Sequence, residues 1–287
     1  MTGDDHALAR DLAALAGERL LALRAQGGEQ DDLRKAGDRQ SHDFLTAELA
    51  ARRPGDVVLS EEGADNPARL AARRVWIVDP LDGTREFGEP GRTDWAVHVA
   101  LWERSDTGDS GDLTAGAVAL PAQGMTLSTA DLQPAQSDIE PVITGSMSQR
   151  AGNAGPGGEA AGVGGAGAGQ VTGKIRIVVS RSRPPAFVRN ISGLIDAELV
   201  PLGSAGAKVA AVVNGEVDAY VHGGGFYEWD TAAPVAVARA AGLHASRIDG
   251  SALAYNQSDL LMPDILVCRP ALAGTLLRAI REVTHAP

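Results

Sequence analysis

The residues best able to do chemistry lie in one run, Val75-Trp-Ile-Val-Asp79-Pro80-Leu81-Asp82-Gly83-Thr84. An apolar stretch delivers Asp79 at its end. Pro80 stops strand pairing and fixes φ, which sets a turn. Asp82 follows three residues on and can point into the same space. Gly83 permits an unusual backbone angle and a close approach by a ligand. Thr84 offers a hydroxyl where a helix can start, and exposed amides at such a start bind phosphate. Two carboxylates crowded at a strand end repel each other unless a proton or cation intervenes, and hard oxygen ligands favour Mg²⁺. An Asp-x-x-Asp turn taken alone fits a plain polar turn equally well.

Further acids stand at comparable places. Ser60-Glu61-Glu62-Gly63 closes another apolar run, where a glutamate can join the same cation or simply form a solvated turn. Glu228-Trp229-Asp230-Thr231 opens a helical pattern. There Asp230 suits an N-cap and Trp229 a core anchor, and neither role excludes a ligand. Asp38 begins a helical pattern that carries Phe44, Leu45 and Leu49, so it too reads as an N-cap.

The elements that must position these groups follow from periodicity. Residues 5–26 place Leu8, Leu12, Leu15, Leu20 and Leu23 near helical spacing. Val57–Ser60 and Val75–Asp79 read as short buried strands. Trp95–Glu103 and Leu113–Pro121 alternate in part, as strands of an antiparallel or mixed sheet do. From residue 133 to 170 the chain is rich in Ala, Gly, Ser and Pro without periodicity, and is expected to be a flexible loop or linker. Strands and helices then alternate, from Lys174–Ser180 to a last helix over Ala271–Val283. The first part, 1–132, therefore reads as an α+β half carrying the acids, and 171–287 as an α/β half completing the site.

Composition limits the partners. The chain has 287 residues, a formal charge of −11 and a hydrophobic fraction of 44%, which fits a soluble protein of one large or two ordinary domains. The acidic balance argues against a bulk electrostatic grip on a nucleic acid polymer or an anionic membrane surface. No run is long and apolar enough for a transmembrane helix, and the acidic start Met1-Thr-Gly-Asp-Asp-His does not resemble a signal peptide, so a cytoplasmic location is expected. The lone Cys268, in an apolar run, reads as a buried core residue. The six histidines show no metal-ligand spacing and receive no catalytic role.

In order and spacing, Glu61-Glu62, Asp79 to Thr84, and Trp229-Asp230 resemble the signature of the inositol monophosphatase superfamily. The resemblance covers roughly residues 5–130 and 172–285. It implies a layered αβαβα sandwich, a Mg²⁺-dependent and typically lithium-sensitive phosphomonoesterase, and often a homodimer. It also implies two or three Mg²⁺ ions. Glu61, Asp79 and the Leu81 carbonyl would hold one ion, and Asp79, Asp82 and Asp230 a second. Asp38 stands 23 residues before Glu61, the family's interval for the aspartate that accepts the threonine hydroxyl. Asp38 and Thr84 would thus orient the attacking water. Asp82, Gly83 and Thr84 would meet the phosphoryl group, and Gly203-Ser204-Ala205 would line the substrate pocket.

Three segments are similar to the 3′(2′),5′-bisphosphate nucleotidase branch of sulfate assimilation. They are Asp82-Gly-Thr-Arg-Glu-Phe87, Val178-Val-Ser-Arg-Ser182, and Gly203-Ser-Ala-Gly-Ala-Lys208. Lys208, Arg181 and Arg183 become candidate substrate contacts on that basis, and Phe226 or Tyr227 could stack on a base. The expected reaction removes the 3′-phosphate of adenosine 3′,5′-bisphosphate, with 3′-phosphoadenylyl sulfate as a second candidate substrate, a small phosphorylated metabolite in either case. Inositol-1-phosphate or fructose-1,6-bisphosphate hydrolysis is the alternative within enzymes. A catalytically idle phosphometabolite sensor is the alternative of another class, although a sensor would be expected to lose some of these acids.

Overall fold

The computed structural model describes residues 4–108, 110–132, 173–182 and 184–284. The expected linker at 133–170 and Arg183 lie outside the described residues. Two long helices, α1 (Asp5–Ala25) and α2 (Gln30–Arg52), come first. The next elements are β1 (Val57–Ser60), β2 (Arg74–Asp82), the short helix α3 (Thr84–Gly88), β3 (Ala96–Arg104), β4 (Gly111–Leu120) and β5 (Met125–Ser128). They are followed by β6 (Arg176–Ser180), α4 (Ala186–Leu194), β7 (Glu198–Leu202), α5 (Ala205–Val213), β8 (Ala219–His222) and β9 (Phe226–Tyr227). The chain closes with α6 (Glu228–Ala240), β10 (His244–Ser246), β11 (Leu261–Met262), β12 (Ile265–Cys268) and α7 (Pro270–Thr284).

Strands β1 to β5 form one sheet in sequence order, with only the β1–β2 pair parallel. A second sheet has the order β10-β12-β8-β6-β7, parallel across β8, β6 and β7. The two sheets come from the two halves of the sequence. Their apolar faces explain the layering. Trp76 and Val78 of β2 pack with Leu8, Leu12 and Leu45 of α1 and α2, whereas Val75 and Ile77 point the other way, toward α5 and α6. Strand β2 is buried on both faces, which is why it reads as a continuous apolar run. Helices α4 and α7 cover the far face of the second sheet through Val188, Ile191, Leu272 and Leu276. The layers therefore run α1/α2, first sheet, α5/α6, second sheet, α4/α7. This is the αβαβα sandwich that the resemblance implies. Among the described residues, no helix is long and apolar enough to cross a membrane.

One expected boundary is corrected. Helix α2 begins at Gln30, so Asp38 lies inside it and is not its N-cap. The first turns of α2 are polar and exposed, which hid them from apolar periodicity. Their helical signal is electrostatic, since Asp31 and Asp32 stand in the first turn, where the helix dipole favours negative charge.

The middle layer demands close approach. A methyl on Gly116 of β4 would come within 2.6 Å of the Ala236 methyl of α6. Gly116→Ala is expected to cost about 1–3 kcal/mol through overpacking. The measurement is urea unfolding, with a lower midpoint at unchanged slope. An unaltered midpoint would contradict this packing of β4 on α6.

Candidate metal centre and active site

The acidic site starts from an irregularity in β2. Asp79 pairs with His98 and Asp82 with Ala96, so the Asp79–Asp82 segment carries one more residue than the partner strand. In a regular strand, residues three apart face opposite sides. The extra residue, at the donor-less Pro80, restores both carboxylates to one side. Gly83 then takes φ 83°, and an added Cβ would crowd Ser204, the Asp94 carbonyl and Trp95. Only glycine fits this close, left-handed position.

Asp230 completes the cluster from α6. Asp79, Asp82 and Asp230 each offer an oxygen, and these atoms lie within 4.8 Å of one another. Asp79 is 1% exposed. Its Oδ1 accepts from the Leu81 amide at 3.0 Å, but its buried Oδ2 has no hydrogen-bond partner. An orphaned carboxylate oxygen facing two more carboxylates fits a hard divalent cation. Asp230 Oδ2 also accepts from the Tyr227 amide at 2.6 Å, so the cap reading and the cluster hold together.

Electrostatics divide the three acids. Burial, followed by the charges of Glu61, Asp82 and Asp230, pushes Asp79 well above the usual carboxylate range. Burial and then Asp82 push Asp230 up to about 7. Asp82 goes the other way. Burial also pushes it up, but His98, Lys208 and the Ser204 hydroxyl outweigh that and hold it below the ordinary range. Ser204 Oγ donates to Asp82 Oδ2 at 2.5 Å and the Gly206 amide at 2.7 Å. Asp82 thereby ties the start of α5 to the end of β2.

Glu61 stands at the rim, its side chain exposed, and lost hydration with the nearby acids pushes it upward. The Thr84 hydroxyl lies 3.1 Å from the Leu81 carbonyl and 3.4 Å from Asp38 Oδ1. Two turns of α2 thus place Asp38 where the 23-residue interval expected it. Burial, then the Glu62 charge, pushes Asp38 up to about 7. Glu61 and Asp38 border the cluster rather than share its core.

Residues from the C-terminal half line a cavity of about 520 Å³ that opens onto Asp82 and Asp230. Ser204, Ala205 and Lys208 also line it, as do the aromatic rings of Phe187, Tyr220, His222 and Phe226. Ser204 takes φ 48°, and its oxygen accepts from the Ala207 amide. Gly203 is fixed from behind, its amide donating to Asp94 at 2.6 Å. Lys208 is not a solvated lysine. It is 5% exposed, and its Nζ donates to the carbonyls of Ser204 at 2.6 Å and Gly203 at 3.1 Å.

Arg181 is not brought to the cavity. Its guanidinium donates to Glu86 at 2.7 Å and Glu89 at 3.0 Å, bridging the end of β6 to α3. A committed fork of this kind is a poor phosphate contact. The residue sequence reasoning missed is His98, fully buried in β3. Its Nδ1 lies 3.1 Å from the Trp229 carbonyl, and its Nε2 3.2 Å from Asp82 Oδ2. A methyl on Gly206 would overlap that Nε2. His98 therefore touches Asp82 on one side and the residue before Asp230 on the other, without being spaced as a metal ligand.

The sequence matches the profile of the inositol monophosphatase family over residues 5–285. The chain belongs to the inositol monophosphatase family. A relative in Mycobacterium leprae, named 3′-phosphoadenosine 5′-phosphate phosphatase, is 48% identical over 97% of this chain and 94% of its own. A protein of the same name in Mycobacterium bovis is 49% identical over 93% of this chain and 90% of its own. The fold also matches the crystal structure of inositol monophosphatase II from Staphylococcus aureus, with a TM-score of 0.70 at 20% identity, covering 96% of this chain and 95% of that one. The family is metal-dependent, and the acidic cluster fits that chemistry.

The raised carboxylates set a pH dependence. Folded Asp79 and Asp230 bind protons more tightly than unfolded ones, so the metal-free protein loses stability as pH rises from about 4 through about 7. Asp82 contributes oppositely, its share being lost only in acid. A divalent ion cancels the repulsion that appears at higher pH. Mg²⁺ is therefore expected to raise Tm more at about pH 8 than at about pH 6. Equal shifts at both pH values would contradict the cluster. Asp79→Asn is expected to raise the metal-free Tm at about pH 8 while cutting the Mg²⁺-induced rise, and a lowered metal-free Tm would contradict it.

Proposed function

We propose that this chain is a Mg²⁺-dependent 3′(2′),5′-bisphosphate nucleotidase that converts adenosine 3′,5′-bisphosphate to AMP and phosphate. The observation that carries this reading is one cavity with two unlike sets of lining groups, the acids Asp82 and Asp230 and the rings of Phe187, Tyr220, His222 and Phe226. A phosphate ester suits the acids once cations are bound, and a flat base suits the rings. Near-half identity to relatives named for this activity, along nearly the whole chain, supports the same substrate.

On this reading Glu61, Asp79 and the Leu81 carbonyl hold one Mg²⁺, and Asp79, Asp82 and Asp230 hold another. A third, weaker ion would sit near Glu61. When bound, the ions neutralise the acids, activate water and clamp the leaving oxygen. The chain's own residues do the positioning. Asp38 accepts the Thr84 hydroxyl, which leaves a Thr84 lone pair to orient the attacking water. The amides of Gly83 and Thr84 hold phosphoryl oxygens. Water adds to phosphorus as the bond from phosphorus to the 3′ oxygen breaks, and the leaving oxygen takes the proton that the water gives up, so that AMP and hydrogen phosphate result. Ser204 and Ala205 border the reacting phosphate. The buried Lys208 keeps positive charge at the wall, where it faces the substrate's second phosphate.

The test is phosphate release with Mg²⁺ from adenosine 3′,5′-bisphosphate, inositol-1-phosphate and fructose-1,6-bisphosphate side by side. The nucleotide is expected to lead in kcat/KM by about 100-fold, a gap of roughly 2.7 kcal/mol in transition-state binding. Leadership by inositol-1-phosphate would keep the role of the acids and overturn that of the rings. No release from any of the three, with metal bound, would favour the sensor.

A further inference from the structure

Behind the carboxylate cluster lies a buried polar chain that the reaction itself does not use. Arg69, in the turn of 3-10 helix Pro67–Ala71 that follows the Glu61 loop, is 1% exposed. Its fork donates twice to Asp65, at 2.7 and 3.2 Å, and once to Asn256 Oδ1 at 2.9 Å. Asn256 answers with Nδ2, donating to the Arg69 carbonyl at 3.1 Å. Asn256 also takes φ 59°, which turns its backbone amide onto Glu228 Oε2 at 2.7 Å. The Gln257 amide donates to the other Glu228 oxygen at 2.7 Å. Glu228 is 1% exposed and is the first residue of α6.

The ends of this chain are informative. Asp65 is four residues after Glu61, and Glu228 is two residues before Asp230. The links join the first half of the sequence to the second, Arg69 and Asn256 standing 187 positions apart. A charged group buried this deeply is costly unless every partner is in place. All three hydrogen-bonding nitrogens of the Arg69 fork are engaged here. The arrangement is a rigid strut between the Glu61 loop and the first turn of α6.

We propose that Arg69, Asn256 and Glu228 are positioning residues that hold Glu61 in register with Asp79, Asp82 and Asp230. The proposal rests on the metal reading above, because its consequence is metal affinity. With the strut cut, the Glu61 loop and α6 relax independently, and the ligands no longer converge before an ion arrives. Outer partners that orient metal ligands typically govern affinity by about 10–100-fold.

The experiment is Mn²⁺ binding, counted by electron paramagnetic resonance of the free ion, together with the Mg²⁺ dependence of phosphate release. The variants are Arg69→Lys, which keeps the charge but loses the fork, and Asn256→Gly, which keeps the positive φ but loses both side-chain links. Each is expected to weaken ion binding about tenfold and raise half-saturating Mg²⁺ alike, with kcat at saturating Mg²⁺ within about threefold of the parent. The double variant is expected to match either single one, because both cut the same link. Variants that lose thermal stability yet bind Mn²⁺ like the parent would overturn the strut and leave the metal reading intact. A parent protein that binds no Mn²⁺ would overturn both.

Discussion

Three carboxylates, two buried and one half-buried, whose ligand atoms lie within 4.8 Å of one another are the constraint around which the molecule is arranged. Like charges at such a distance in a protein interior repel by several kcal/mol, on the order of 4 kcal/mol at an effective dielectric constant near 20. The fold nevertheless drives them together. Apolar packing of α6 between the sheets carries Asp230 to the end of β2, and the extra residue at Pro80 turns Asp79 and Asp82 to the same side. The repulsion is thus built in by hydrophobic burial. It is relieved by protons in the metal-free protein and by cations in the working one.

The three acids are not equivalent, and the difference has a structural cause. Asp82 accepts from two donors, the Ser204 hydroxyl and the Gly206 amide, where Asp79 and Asp230 each accept from one amide, and His98 and Lys208 lie nearby. It stays ionised and fixes α5 against the strand end. Asp79 retains an oxygen with no protein partner, and Asp230 spends one oxygen on a single amide. The site therefore combines one structural carboxylate with two under-satisfied ones, which suits a centre that must both hold its shape and take up ions.

The parts legible in the sequence were those with local signals. Strand β2 reads as an apolar run because both its faces are covered, and the Asp79–Thr84 turn follows from Pro80 and Gly83. What was hidden depended on distant partners. His98 looks like any polar residue in a strand until the Trp229 carbonyl, 131 residues away, meets it. Arg181 reads as a free cation beside a strand end, but its carboxylate partners sit on and beside α3. Asp38 follows from the family's interval, whereas the start of its helix is hidden because the first turns of α2 have no apolar face. Strands β9, β10 and β11, of two or three residues, are too short to show a period. Arg69 and Asn256 gave no signal, since their meaning lies in a contact between the two halves.

The most direct measurement of the account is a calorimetric count of Mg²⁺ ions bound per chain, for the parent protein and for Asp230→Asn. The account requires at least two ions on the parent and the loss of one when Asp230 no longer carries a charge. An Asp230→Asn protein that is folded and binds as many ions, as tightly, as the parent would contradict it.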